Sequence, residues 1–114
     1  MTVISESNRG IAMINVFTVN DGKQQELVDF LTQSTKDLMR HFPGFISANF
    51  HKSTDGKYVA NYAQWETQEA WEEMQKDPRA QAEFAHVRTL VEGAKYAPYE
   101  VAFVCERGVA LPDD

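Results

Sequence analysis

Apolar and polar residues set out the first element plainly. In IAMINVFTV, Ile11 to Val19, side chains sort into two rows with a period of two, which predicts a β-strand. One row is Ile11, Met13, Asn15 and Phe17; the other is Ala12, Ile14, Val16 and Thr18. Both rows are largely apolar, so both faces of the sheet are expected to be covered. Asn20-Asp21-Gly22 breaks the strand, and Asp21 followed by Gln24 resembles a capping box at a helix start. Leu27, Phe30, Leu31, Leu38 and Phe42 recur at helical spacing, predicting a helix through His41 that Pro43-Gly44 ends.

A second strand is expected from Phe45 to Ser53 and a third from Lys57 to Glu66. Thr54-Asp55-Gly56 joins them as a hairpin turn, since Asp-Gly favours positive φ. Thr67 can cap a short helix carrying Ala70, Trp71 and Met74. Asp77-Pro78 restarts a helix, with Pro78 in the first turn, where its missing N–H costs little. Phe84, Val87, Arg88 and Val91 mark one face of that third helix, and Gly93 is its expected stop. Tyr99 to Glu106 reads as the final strand. The order β-α-β-β-α-α-β fits an α+β, ferredoxin-like fold: an antiparallel sheet with helices on one face. A second copy is the expected cover for the other face, as a homodimer. Residues 1–9 are polar and expected to be flexible. Residues 10–114 form a single domain with a short C-terminal tail.

Composition narrows the function. A net charge of −6, from 17 acidic and 11 basic side chains, opposes phosphate backbones and anionic membranes, so no nucleic acid and no membrane partner is expected. No apolar run approaches a spanning helix and no signal peptide is evident, which implies a cytoplasmic location. One cysteine, Cys105, permits no internal disulfide. It alternates with Val101 and Phe103 on the expected last strand, as a buried inert thiol. His41, His51 and His86 form no ligand set, and no nucleotide-binding or nucleophile-elbow motif occurs. No metal is expected.

The hairpin GFISANFHKSTDGKYVANYAQWE, Gly44 to Glu66, carries the candidate chemistry. Its second strand places Asn61 and Trp65 on one face, four residues and about 13 Å apart. This block, with the EAW and DPR segments and the RGVALP tail, resembles the antibiotic biosynthesis monooxygenase family. In particular it is similar to the quinone-forming branch typified by the actinorhodin pathway. The resemblance runs from about Val16 to Leu111. It implies a dimeric α+β barrel that oxidises phenolic polycycles to quinones with O₂, without metal, flavin or other prosthetic group. The branch's pocket Asn and Trp fall on Asn61 and Trp65. Its helix Tyr falls on Trp71, which lacks a phenolic hydroxyl. Its helix Arg falls on Phe84, with Arg88 one turn later on nearly the same face. The family's haem-degrading members are a poor fit. Asn15 matches their strand Asn, but Met74 and Phe84 stand where they carry Trp and His.

These residues suit the chemistry. Dioxygen is a triplet, so an aromatic anion must supply the first electron when no cofactor does. The protein then binds the phenol, favours its anion and excludes water. Asn61 and Trp65 can donate hydrogen bonds to the developing oxyanion, and Arg88 can add fixed positive charge. Trp71, Asn15, Phe17 and Phe84 complete the expected substrate-binding wall. The plainer readings are a core role for Trp65 and Trp71, a buried structural amide for Asn61 and an exposed helix position for Arg88. The expected function is a cofactor-independent monooxygenase acting on a phenolic or hydroquinone-like, polyketide-type aromatic. The alternatives are a non-catalytic small-molecule-binding barrel and a quinol detoxification enzyme.

Overall fold

The computed structural model describes residues 2–5 and 10–110. The elements are β1 (Ile11–Val19), α1 (Gln24–Asp37), β2 (Phe45–Lys52), β3 (Tyr58–Trp65), α2 (Gln68–Lys76), α3 (Pro78–Arg88) and β4 (Val91–Tyr99). A 3-10 turn, Met39–His41, follows α1. The strands form an antiparallel sheet in the order β2-β3-β1-β4, with the helices packed on one face. This is the α+β, ferredoxin-like arrangement expected from the sequence.

Local chemistry fixes several junctions. Gly56 closes the β2–β3 hairpin with φ +79, and the Asp55 carboxylate accepts from Ser53 Oγ and Lys57 N, bonds that hold its pKa below the ordinary value. Thr67 caps α2 by accepting from Ala70 N at 3.0 Å. Asp77 caps α3 by accepting from Arg79 N, with Pro78 in the first turn. Gly44 stands at φ +86, and a Cβ there would meet the Ala70 Cβ at 2.5 Å, so only glycine lets α2 approach β2.

The structure corrects the sequence reading at three places. Lys23, not Asp21, precedes α1, with no side-chain cap. The Gln24 amide instead donates to Ser53 O and Tyr58 O, tying the helix start to the hairpin. The third helix stops at Arg88, and Gly93 lies inside β4, as does Val91. The final strand is therefore Val91–Tyr99, not Tyr99–Glu106. Val101 to Cys105 pair with no strand, so Cys105 is exposed, not buried. The alternation there does not become a strand, because β4 already occupies the free edge of β1.

Two clusters of buried side chains fill the space between sheet and helices. The first holds Met13, Ala63, Trp65, Met74 and Ala80; the second holds Val19, Leu27, Val59, Val87 and Leu90. Successive rows across the sheet explain the division. Ala48, Ala63 and Met13 stand opposite one another, as do Val59 and Phe17. Between those rows lie Phe50, Asn61, Asn15 and Tyr96, so two amides interrupt the apolar floor.

The opposite face carries Ile14, Val16, Ala60 and Tyr62, together with exposed Ile46, Tyr58 and Tyr99. Residues 2–5 reach part of it: Thr2 Oγ1 donates to Asn49 Oδ1, and Gln64 Nε2 donates to Val3 O. Residues 6–9 of the expected flexible segment and residues 111–114 of the tail lie outside the described residues.

Candidate active site

The amide row opens onto a cleft. Its inner chamber, about 100 Å³, has Asn15, Asn61 and Trp65 on the sheet side and Trp71, Met74 and Phe84 on the helix side. An outer groove of about 490 Å³ continues past Trp71 and Phe84 to Arg88, Glu92 and Tyr96. Asn15, Phe17, Trp71, Phe84 and Val87 line both, so chamber and groove form one passage. Ligand pockets commonly measure roughly 300–1,000 Å³. A polycyclic ligand thus needs both compartments, with one end in the chamber.

Asn61 has a fixed orientation. Its Oδ1 accepts from Asn49 N at 3.1 Å, across the β2–β3 ladder. An amide oxygen only accepts and its NH₂ only donates, so this bond leaves Nδ2 as the free end. Nδ2 has no hydrogen bond to a described residue, and Asn61 lines the chamber. Asn61 is thus both a structural amide and an available donor. Trp65 is 3 % exposed and belongs to the first core cluster, with Phe45 edge-on at 5.5 Å between ring centroids. Its indole N–H likewise has no hydrogen bond to a described residue, and the residue lines the chamber. Asn15 sits directly opposite Asn61, and its Oδ1 is the one enclosed side-chain oxygen or nitrogen without a partner among the described residues. Such an atom costs about 1–3 kcal/mol until a donor reaches it.

The other expected residues fall along the same passage. Phe17 and Phe84 are apolar walls of chamber and groove. Trp71 stands at the junction, its ring 5.9 Å from Tyr96. Arg88 is exposed and lines the outer groove but not the chamber. Six of the seven candidates thus meet around the chamber, and Arg88 lies at its approach. Tyr96 and Ser34 were not singled out by the sequence. Tyr96 belongs to the unrecognised strand. Ser34 interrupts the stripe of Leu27, Leu31 and Leu38 along α1 and its C-cap, a signal that was available. Among the described residues no group of three or more His, Cys, Asp or Glu is arranged to hold a metal ion, and no helix is long and apolar enough to cross a membrane.

Known proteins share this fold. The chain is 48% identical over 90 residues to tetracenomycin-F1 monooxygenase of Streptomyces glaucescens, covering 79% of this chain and 80% of that one. Its fold matches a monooxygenase from the gene ActVA-Orf6 of Streptomyces coelicolor, solved with the ligand nanaomycin D. That match has a TM-score of 0.74 and 33% identity, over 92% of this chain and 94% of that one. It also superposes on SnoaB, a cofactor-independent oxygenase from Streptomyces nogalater, at a TM-score of 0.74 and 18% identity, over 84% of this chain and 96% of that one. The last likeness shows the fold alone. Residues 10–86 match the family described as antibiotic biosynthesis monooxygenase. The chain belongs to the antibiotic biosynthesis monooxygenase family and is an enzyme of the monooxygenase class.

Proposed function

We propose that the enzyme oxidises a phenolic, polyketide-type polycycle to a quinone with O₂ and without metal or flavin. One observation carries the reading: Asn61, whose Oδ1 is taken by Asn49 N, and Trp65 both line an apolar chamber, and each has an N–H group with no hydrogen bond to a described residue. The relative that acts on tetracenomycin F1 and the structure holding nanaomycin D support an aromatic polyketide as the substrate class.

The chemistry follows from that surround. Apolar walls strip water from the bound phenol, and the two N–H groups stabilise its anion. The anion gives one electron to O₂, and recombination forms a carbon–oxygen bond as a hydroperoxide. Loss of the carbon-bound proton and cleavage of the O–O bond leave the carbonyl, with the departing hydroxide protonated to water. A CH₂ group and O₂ thus become C=O and H₂O, and every electron comes from the substrate. Arg88 attracts and orients the anion from the outer groove. Trp71 acts as a wall, since it has no hydroxyl to pass a proton.

The exposed apolar face of the sheet, Val16, Ile46, Tyr58 and Tyr99, supports a homodimer in which a second copy covers it. Light scattering at micromolar concentration is expected to give about twice the 13.0 kDa chain mass, and a 13.0 kDa species alone refutes the dimer. The activity test uses protein stripped by chelation and dialysis. Anthrone is expected to drive O₂ uptake at one O₂ per anthraquinone formed. A strict requirement for an added metal or flavin, or no uptake with any anthrone or hydroquinone tested, refutes the proposed reaction.

A further inference from the structure

Helix α1 and the turn that follows it together span both core clusters, and one polar side chain lies between the two contacts. Leu27 belongs to the second cluster, with Phe30 and Leu31 packed against it, while Met39 and Phe42, beyond the helix, pack against the first. Ser34 lies between them on the stripe of Leu27, Leu31 and Leu38, at spacings of four, three and four. It is 6 % exposed and lines the chamber that Asn15 and Asn61 line from the sheet.

Its hydroxyl is unspent. A buried helical serine commonly bonds back to the carbonyl one turn earlier, but Ser34 Oγ has no hydrogen bond to any described residue. Nor is it an enclosed orphan, a state that among the described residues only Asn15 Oδ1 has, and Ser34 itself lines the chamber. Packing alone favours alanine here. Alanine has the higher helix propensity and strands no hydroxyl in an apolar surround.

We infer that Ser34 is a substrate-binding residue, whose hydroxyl takes a second oxygen of a polyoxygenated aromatic from the helix side while the Asn61 and Trp65 donors take the first from the sheet side. The inference rests on the proposed function and adds a requirement to it. The ligand entering the chamber carries at least two oxygens on its reacting end, and the rest of the polycycle extends past Trp71 into the groove. A hydroxyl can donate or accept, so Ser34 suits either a carbonyl or a phenol at that second position.

The test compares Ser34→Ala with wild type in anaerobic titrations, read by quenching of Trp65 and Trp71 fluorescence. The probes are 1,8-dihydroxyanthrone, with two phenols flanking its carbonyl, and anthrone, with none. Ser34→Ala is expected to weaken the dihydroxy compound about two- to tenfold, the effect of one neutral hydrogen bond, and to leave anthrone unchanged. Its melting temperature is expected to equal or exceed wild type, which a structural serine would not allow. With oxygen admitted, KM for the dihydroxy compound should rise more than kcat falls. Equal responses of the two probes, whether loss or no change, overturn the role of Ser34. A melting temperature lowered by several degrees does the same, by making the serine structural. Failure of wild type to bind either probe refutes the proposed substrate class itself, and the inference with it.

Discussion

On the proposed mechanism Asn61 performs two tasks with two ends of one amide, and a single substitution separates them. Asn61→Asp keeps an oxygen to accept from Asn49 N, the bond now 3.1 Å long, and replaces the chamber-facing NH₂ with oxygen. Asn61→Ala removes both ends. Losing the bond from the Asn49 N–H costs about 0.5–1.5 kcal/mol of stability, so the alanine variant should melt a few degrees lower. The aspartate variant should melt close to wild type. In catalysis both lose the donor. One oxyanion donor typically contributes about 10²–10³ in kcat, or about 2.7–4 kcal/mol. The loss should appear in kcat more than in KM, because the bond tightens as the anion forms.

The aspartate variant carries a further signature. Its carboxylate, beside an apolar chamber, is expected to titrate above the ordinary value, since burial disfavours the charged form. Ionised, it repels the substrate anion; protonated, it again offers an O–H donor. The rate of Asn61→Asp relative to wild type should therefore rise as pH falls. Initial O₂ uptake and quinone absorbance between pH 5 and 8, together with thermal melts, test this. Both variants folded, with kcat within twofold of wild type, would show that Nδ2 contributes nothing to turnover and that Asn61 is a structural amide only.

Trp65→Phe keeps the aromatic wall and the edge-on contact with Phe45 but removes the N–H, so a tenfold or larger fall in kcat with a similar melting temperature separates donation from packing. Arg88→Ala is expected to raise KM more than it lowers kcat, since Arg88 lines the groove and not the chamber; equal effects on both would refute that placement of its role. Gly44→Ala should be destabilised by about 1–2 kcal/mol from the left-handed backbone alone, with the overlap on Ala70 added, and a melt within 1 kcal/mol of wild type would refute the close approach of α2. Asp77 has its pKa lowered, first by the side-chain bond from Arg79. Its contribution is complete above the ordinary 3.8 and is lost as pH falls through the depressed folded value, so Asp77→Asn should flatten the acid limb of stability measured between pH 2 and 6.

The physics of each element decides how much of this could be read from the sequence. The β2–β3 hairpin was legible because Asp55-Gly56 dictates its turn and the period-two pattern dictates its faces. Asn61 and Trp65 therefore fell correctly onto one face before any coordinates. Thr67 and Asp77-Pro78 were legible because capping is local chemistry. The capping box at Asp21 misled because Gln24 found better acceptors in the distant hairpin, a tertiary preference that local sequence does not encode. Strand β4 was missed for a similar reason. Gly93, Ala94, Lys95 and Pro98 are poor strand formers, and the edge position, not propensity, makes them a strand, since an edge tolerates proline. Val101 to Cys105 has the better alternation but lies outside the sheet, since β4 already occupies the free edge of β1.

The misplaced strand matters for function, because β4 supplies one wall of the outer groove. With Tyr99–Glu106 as the last strand, Tyr96 would be in a loop, and the amide row would end at Asn15. With Val91–Tyr99 in place, Tyr96 extends that row and meets Trp71 across the passage. The cleft thus acquires a second compartment that no pattern of residues in the hairpin implies. The division of the core then has a physical rationale. A small domain whose sheet is covered by helices on one face would ordinarily close into one cluster. Two amides on the floor and one hydroxyl on α1 interrupt the packing at the same level, so the chamber lies where the chain places polar groups that its own packing does not use.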